Sequence, residues 1–125
     1  MTYQVEFNDL PVEQAVRVRQ GDTYCQPYEI WLNGQPLSLV GATLRLAIRR
    51  APGRGRMVVE QTISPDDAAG GKFTVVVAAA HTAEMLGEYY YEVEVEWPQG
   101  GEVFPEGCTK TILAGPMAVC EDVLH

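Results

Sequence analysis

The chain has 125 residues and a mass of 13.8 kDa, 46% of its residues are hydrophobic and 21% charged, so it can bury a core and is not globally disordered. Its formal net charge of −8 argues against a nucleic-acid binder, which needs a basic surface to neutralise phosphates. No run approaches the ~20 apolar residues that cross a bilayer, so no membrane partner is expected.

Taken in chain order, the periodicity is mostly two, the signature of strands. Gln14 to Arg19 places Val16 and Val18 in line, with Arg17 and Arg19 opposite. After Gly21-Asp22, Tyr24 to Leu32 reads as a second strand with Tyr28, Ile30 and Leu32 aligned, and Pro27 inside it predicts an edge position or a bulge. Asn33-Gly34-Gln35-Pro36 is a turn. Ala42 to Arg50 follows as a strand, Leu44, Leu46 and Ile48 inward and Thr43, Arg45 and Arg49 outward. Pro52-Gly53-Arg54-Gly55 turns the chain, and Met57 to Ile63 runs back.

Ser64 to Gly71 is a polar loop, and Lys72 to Ala79 the next strand, with Phe73, Val75 and Val77 on one face. Only Ala78 to Leu86 looks helical, a turn or two with Thr82 as N-cap. Tyr89 to Trp97 alternates most cleanly. Tyr89, Tyr91, Val93, Val95 and Trp97 share one face, and Tyr90, Glu92, Glu94 and Glu96 the other, as in an antiparallel sheet with one wet side. Pro98 to Gly101 reads as a turn, Glu102-Val103-Phe104 as the start of a return strand, and Cys108 to Leu113 as a strand that Gly115-Pro116 interrupts before Met117 to Val119. Seven to nine strands with turns between them favour a sandwich or barrel over an α/β fold, and no linker splits residues 1–125 into two domains.

The segment Leu86-Gly87-Glu88-Tyr89-Tyr90-Tyr91 narrows the fold. A Gly two residues before a Tyr at the entry to a late amphipathic strand resembles the tyrosine corner of immunoglobulin-like sandwiches, in which the hydroxyl bonds back to backbone upstream. Tyr89 takes that role. Tyr91 stands where an antibody domain has its second core cysteine, so an aromatic ring replaces a disulfide.

Such a sandwich makes the third and sixth strands antiparallel neighbours, here Ala42–Arg50 and Tyr89–Trp97. Their outer faces carry Arg45 and Arg49 against Glu92, Glu94 and Glu96, which predicts cross-strand ion pairs. That pairing also accounts for a lopsided charge, seven Arg against five acids through Arg56 and two Lys against twelve acids beyond it.

Chemistry finds little support. Cys25, Cys108 and Cys120 have no CxxC spacing, and with two His a zinc site is not expected; three reduced thiols are, although a bridge from Cys25 stays open in an oxidising compartment. His81 in the helical connection reads as a surface or capping residue, and Asp66-Asp67 as solvated turn residues without EF-hand spacing. Glu92, Glu94 and Glu96 lie along one wet face, where nothing separates their pKa values. No GxGxxG, P-loop, GxSxG or HExxH motif is present. No catalytic residue, cofactor or metal is expected, and the chain is not read as an enzyme. The amino end, Met1 to Glu6, has neither a basic start nor an apolar run, so no secretory signal is expected.

Several stretches together resemble the small immunoglobulin-like proteins of phage tails and prophages, related to the N-terminal domain of baseplate upper proteins. They are Gln20-Gly21-Asp22-Thr23-Tyr24, Leu32-Asn33-Gly34-Gln35-Pro36-Leu37-Ser38-Leu39-Val40-Gly41-Ala42-Thr43-Leu44-Arg45, Gly71-Lys72-Phe73-Thr74-Val75, and Leu86 to Val93. The resemblance implies a virion structural protein that assembles with other tail and baseplate proteins, in the bacterial cytoplasm first and then in the tail. It carries no catalytic residues across. A homo-oligomer is expected because open strand edges invite pairing. The alternative from another class is a carbohydrate- or cell-surface-binding sandwich, which needs an exposed aromatic cluster such as Trp31 or Tyr90 with Tyr28.

Overall fold

In a computed structural model, residues 1–51 and 54–121 are described, residues 51 and 54–56 by backbone alone. Alternation of apolar and polar side chains organises these residues into ten strands in two sheets. The strands are β1 (Tyr3–Glu6), β2 (Val12–Glu13), β3 (Val16–Arg19), β4 (Tyr24–Leu32), β5 (Gln35–Pro36), β6 (Thr43–Ala51), β7 (Arg54–Ile63), β8 (Lys72–Val77), β9 (Gly87–Gln99) and β10 (Glu106–Cys120). A 3-10 turn at Phe7–Asp9 and one short helix, α1 (Ala79–Thr82), complete the elements. This is the all-β, immunoglobulin-like sandwich with a short helical turn that the sequence predicts.

The four-stranded sheet is built on β4. β1 runs parallel along one flank, Tyr3 opposite Tyr28 through Glu6 opposite Trp31, and β8 and then β5 run antiparallel along the other. Asn33 and Gly34 join β4 to β5 with φ of 51° and 82°, the two positive values that a tight hairpin of right-handed twist requires. Pro27 sits where β1 has not yet begun, so β4 is locally an edge there and the missing N–H costs no ladder bond on that side.

The six-stranded sheet runs β2 and β3, β10, β9, β6, β7. β9 is held antiparallel between β10 and β6 along most of its 13 residues. The inner faces meet in one core, where Tyr28 stacks on Phe73 at 5.5 Å and Leu44, Ile48, Val93, Val95 and Leu113 are fully buried.

Four expectations are corrected. The sandwich is not purely antiparallel: β1 on β4, and β2 and β3 on β10, are parallel pairs. The opening segment changes sheets at the 3-10 turn, so it must enter the second sheet alongside the last strand in the same direction. The expected strand Gln14–Arg19 begins only at Val16; Gln14 and Ala15 form a step between β2 and β3 whose backbone passes over Gly115, Gln14 N–H donating to Ala114 O at 3.0 Å.

The return strand starts at Glu106, not Glu102, and continues through Gly115-Pro116 to Cys120. A bulge between Thr111 and Leu113 turns both Ile112 and Leu113 inward. Thr82 is not an N-cap. It ends α1, fully buried, its Oγ1 accepting from Gly21 N–H at 3.2 Å and donating to Asp22 O at 2.7 Å. The tip of the expected Pro52–Gly55 turn lies outside the described residues.

Candidate interaction surfaces

Tyr89 stands at the start of β9 with its ring buried, and Leu86 N–H donates to its Oη at 3.0 Å. Gly87, at φ 101°, bends the chain between them. Arg50 lies over the outer face of the ring at 4.3 Å and donates to Leu86 O at 3.3 Å, so the corner is clamped from both sides. Removing only the hydroxyl, as in Tyr89→Phe, is expected to cost about 1 kcal/mol, because Leu86 N–H loses its acceptor while the ring stays packed. Urea unfolding midpoints measure it; an unchanged midpoint would show that water serves Leu86 equally well.

Tyr91, two residues on, is buried, and its Oη donates to Gln14 O at 2.7 Å. From the facing sheet, Tyr28 Oη donates to Gln14 Oε1 at 2.8 Å. One glutamine thus joins both sheets to the step between β2 and β3, and nothing local in the sequence marks it. Cys25, Cys108 and Cys120 are free thiols.

Burial pushes the pKa of both Tyr28 and Tyr91 well above the usual 10.0, with neighbouring tyrosines adding to the shift. The folded state therefore keeps these protons when the unfolded chain has begun to lose them. Stability is fully present below about pH 10 and falls as pH rises beyond it, each tyrosine contributing a slope of about 1.4 kcal/mol per pH unit. Tyr91→Phe should make the alkaline fall in denaturant midpoint shallower, and an equally steep fall would locate the sensitivity elsewhere.

The outer face of the six-stranded sheet carries the charged residues singled out above. β6 and β9 are antiparallel neighbours, as expected, with Arg45 opposite Glu94, Ala47 opposite Glu92 and Arg49 opposite Tyr90. The cross-strand ion pairs do not form. Among the described residues the ion pair present is Lys72–Glu29 at 3.7 Å, in the other sheet. The register explains this in part: Arg49 faces a tyrosine and Glu92 an alanine, leaving Arg45 and Glu94 as the one opposed pair. Those two are exposed, where closing a pair gains little against side-chain entropy.

Charge is instead separated along the sandwich. Six of the seven arginines lie towards the end where β9 begins: Arg17 and Arg19 close β3, Arg49 and Arg50 close β6, and Arg54 and Arg56 open β7. Asp22, Glu84, Glu88 and Glu121 are interleaved with them. The opposite end gathers Glu6, Asp9, Asp66, Asp67, Glu96, Glu102 and Glu106 and no arginine, with Lys72 and Lys110 the nearest cations. Phe7 seals that end against Trp97 and Phe104 at 6.0 and 5.6 Å.

The aromatic cluster required for glycan stacking is not assembled. Tyr28 points into the core at 1% exposure, Trp31 lies on the outside of the four-stranded sheet with its Nε1 donating to Glu29, and Tyr90 is on the outside of the other sheet. His81 lines a cleft of about 380 Å³ beside Arg50, Met57, Glu84 and Tyr89. Asp67 accepts from Gly70 N–H at 3.1 Å, closing the loop on itself, and Asp66 accepts from Thr74 Oγ1 at 2.6 Å, fastening the loop to β8. Among the described residues no three His, Cys, Asp or Glu converge as metal ligands, and no helix is long and apolar enough to cross a membrane.

A sandwich whose polar residues lie on sheet faces and at its two ends is of the class that presents surfaces. The chain belongs to the BppU N-terminal domain family, the baseplate upper protein domain of phages, whose family model matches residues 1–102. That family is a structural one of the phage tail baseplate. In fold the chain is similar to the N-terminal domain of phage TP901-1 ORF48, at 16% identity and a TM-score of 0.59, over 96% of this chain and 99% of that one. No curated protein sequence matches significantly. The family match stops at residue 102, yet β10 beyond it supplies Leu113, Met117 and Val119 to the core, and the structural match covers it.

Proposed function

We propose that residues 1–125 act as one assembly module of a phage or prophage tail baseplate, working through contacts with other tail proteins and without catalysis. Membership of the baseplate domain family over residues 1–102 carries this reading. The charged sheet face and the two electrostatically unlike ends, one mixed and one acidic, support it, because complementary charge selects partners and fixes their orientation. A net charge of −8 argues against nucleic acid as the partner. On this reading the chain is made in the host cytoplasm and carried in the virion tail.

Mass spectrometry of purified virions from a strain producing the phage, with antibody labelling of the particles, tests it. The expected result is the chain in intact particles and label at the tail tip. A chain found only in the soluble cell fraction, or label on the head, would overturn the proposal.

A further inference from the structure

The outer face of the six-stranded sheet is open to solvent and carries opposite charges on two neighbouring strands. Three successive rows cross it: Thr62–Arg45–Glu94–Thr111, Glu60–Ala47–Glu92–Ala114 and Met57–Arg49–Tyr90–Pro116. β6 thus presents Arg45 and Arg49, and β9 presents Glu92 and Glu94. Between the rows Arg45, Arg49, Glu60, Glu92 and Glu94 surround a shallow depression floored by Ala47. Arg49 Nε is shielded from solvent and has no hydrogen-bond partner.

We propose that this face docks a second copy of the same chain, about a twofold axis that runs along the strands between β6 and β9. Such an axis exchanges the two strands, so β6 of each copy lies over β9 of the other, row on row. Arg45 then meets Glu94 of the second copy, and the four charges form a square of alternating sign. Arg49 meets Tyr90 of the second copy, which offers an acceptor hydroxyl and a ring face to the outer nitrogens of the guanidinium.

A twofold axis running across the strands would instead lay β6 on β6 and bring Arg45 against Arg49, like charges in contact, so the charge pattern selects the first axis. Ala47 inside the second row, and Ala114 and Pro116 at the β10 ends of the second and third, stand low enough there for two sheets to approach at about 10 Å. The inference extends the assembly reading and rests on it for its biological meaning. The purified chain tests the dimer alone, whereas virion placement tests the reading.

Sedimentation velocity of the full chain at low salt is the experiment, with Arg45→Glu and Glu94→Arg made separately. Both positions are exposed, and thermal melts check that both variants fold. The wild type is expected to dimerise, and each variant alone to bind itself at least about tenfold more weakly, since every Arg–Glu contact becomes a like-charge contact. An equimolar mixture of the two variants restores opposite signs at every contact and is expected to form a heterodimer with nearly wild-type affinity. A wild type that stays monomeric at about 1 mM, variants that dimerise as well as the wild type, or a mixture that stays monomeric would each overturn the proposal.

Discussion

Gly115→Ala is expected to lower the unfolding free energy by about 3 kcal/mol or more, among the largest effects of any single methyl group in this chain. A Cβ at that position would stand 2.4 Å from Gln14 O and 3.0 Å from Gln14 C, both backbone atoms of the step between β2 and β3. Nothing flexible can yield there. The step must move outward, and with it go the bond from Gln14 N–H to Ala114 O, the bond from Tyr91 Oη and the one from Tyr28 Oη. The two tyrosine hydroxyls would be left buried without partners, which adds to the steric cost.

Urea titration gives the magnitude, and Gly100→Ala provides the comparison. Gly100 also has a positive φ, 81°, but no atom lies within 4 Å of the place its new methyl would take, so it should lose only about 1 kcal/mol. Equal losses at the two positions would show that backbone conformation alone, and not the crossing over Gly115, sets the cost.

The second large effect belongs to Trp97, for which Trp97→Ala should cost about 3–5 kcal/mol. Its ring is 2% exposed, its Nε1 donates to Ser38 O at 3.0 Å, and it meets Phe104 edge-on at 4.8 Å. Removing it opens a cavity and leaves Ser38 O unpaired. It also releases Phe7 and Phe104, which hold the 3-10 turn and the β9–β10 connection against the sandwich. Hydrogen exchange should therefore accelerate first at Phe7–Asp9 and residues 100–105, ahead of β9 itself. A loss below about 1 kcal/mol, or uniform acceleration, would contradict this account.

Much of this architecture is legible in the sequence because its determinants are local. Tyr89 to Trp97 alternates without a break, and that alone assigns the buried face of the central strand. Asn33-Gly34 carries its own turn chemistry, and Leu44, Leu46 and Ile48 need only the period of two. What escapes depends on residues far apart in the chain. Gly115 resembles a strand breaker, yet it is glycine because Gln14, a hundred residues earlier, crosses over it. Ile112 breaks the alternation through a bulge that only pairing with β9 defines. Thr82 resembles a cap, but its hydroxyl belongs to the turn at Gly21 and Asp22.

The charged face shows the same division. The neighbouring strands could be inferred from the fold type, but whether Arg45 closes on Glu94 depends on register and solvent, which periodicity does not contain. Trp31, Tyr28 and Tyr90, the aromatic residues a glycan site would need, are kept apart by an equally nonlocal fact, the sheet and the side on which each one falls.

The uneven charge of the two ends alters what the net charge means for an approaching body. β9 has 13 residues and spans roughly 40 Å, several times the screening length of about 8 Å at physiological salt. Neither end therefore cancels the other at contact range. A surface arriving at the arginine end meets guanidinium and carboxylate groups side by side, and one arriving at Glu102 and Glu106 meets an anionic tip, although both meet a molecule of charge −8. The chain thus has a polarity as well as a charge, and a neighbour can tell which way up it stands before any side chains touch.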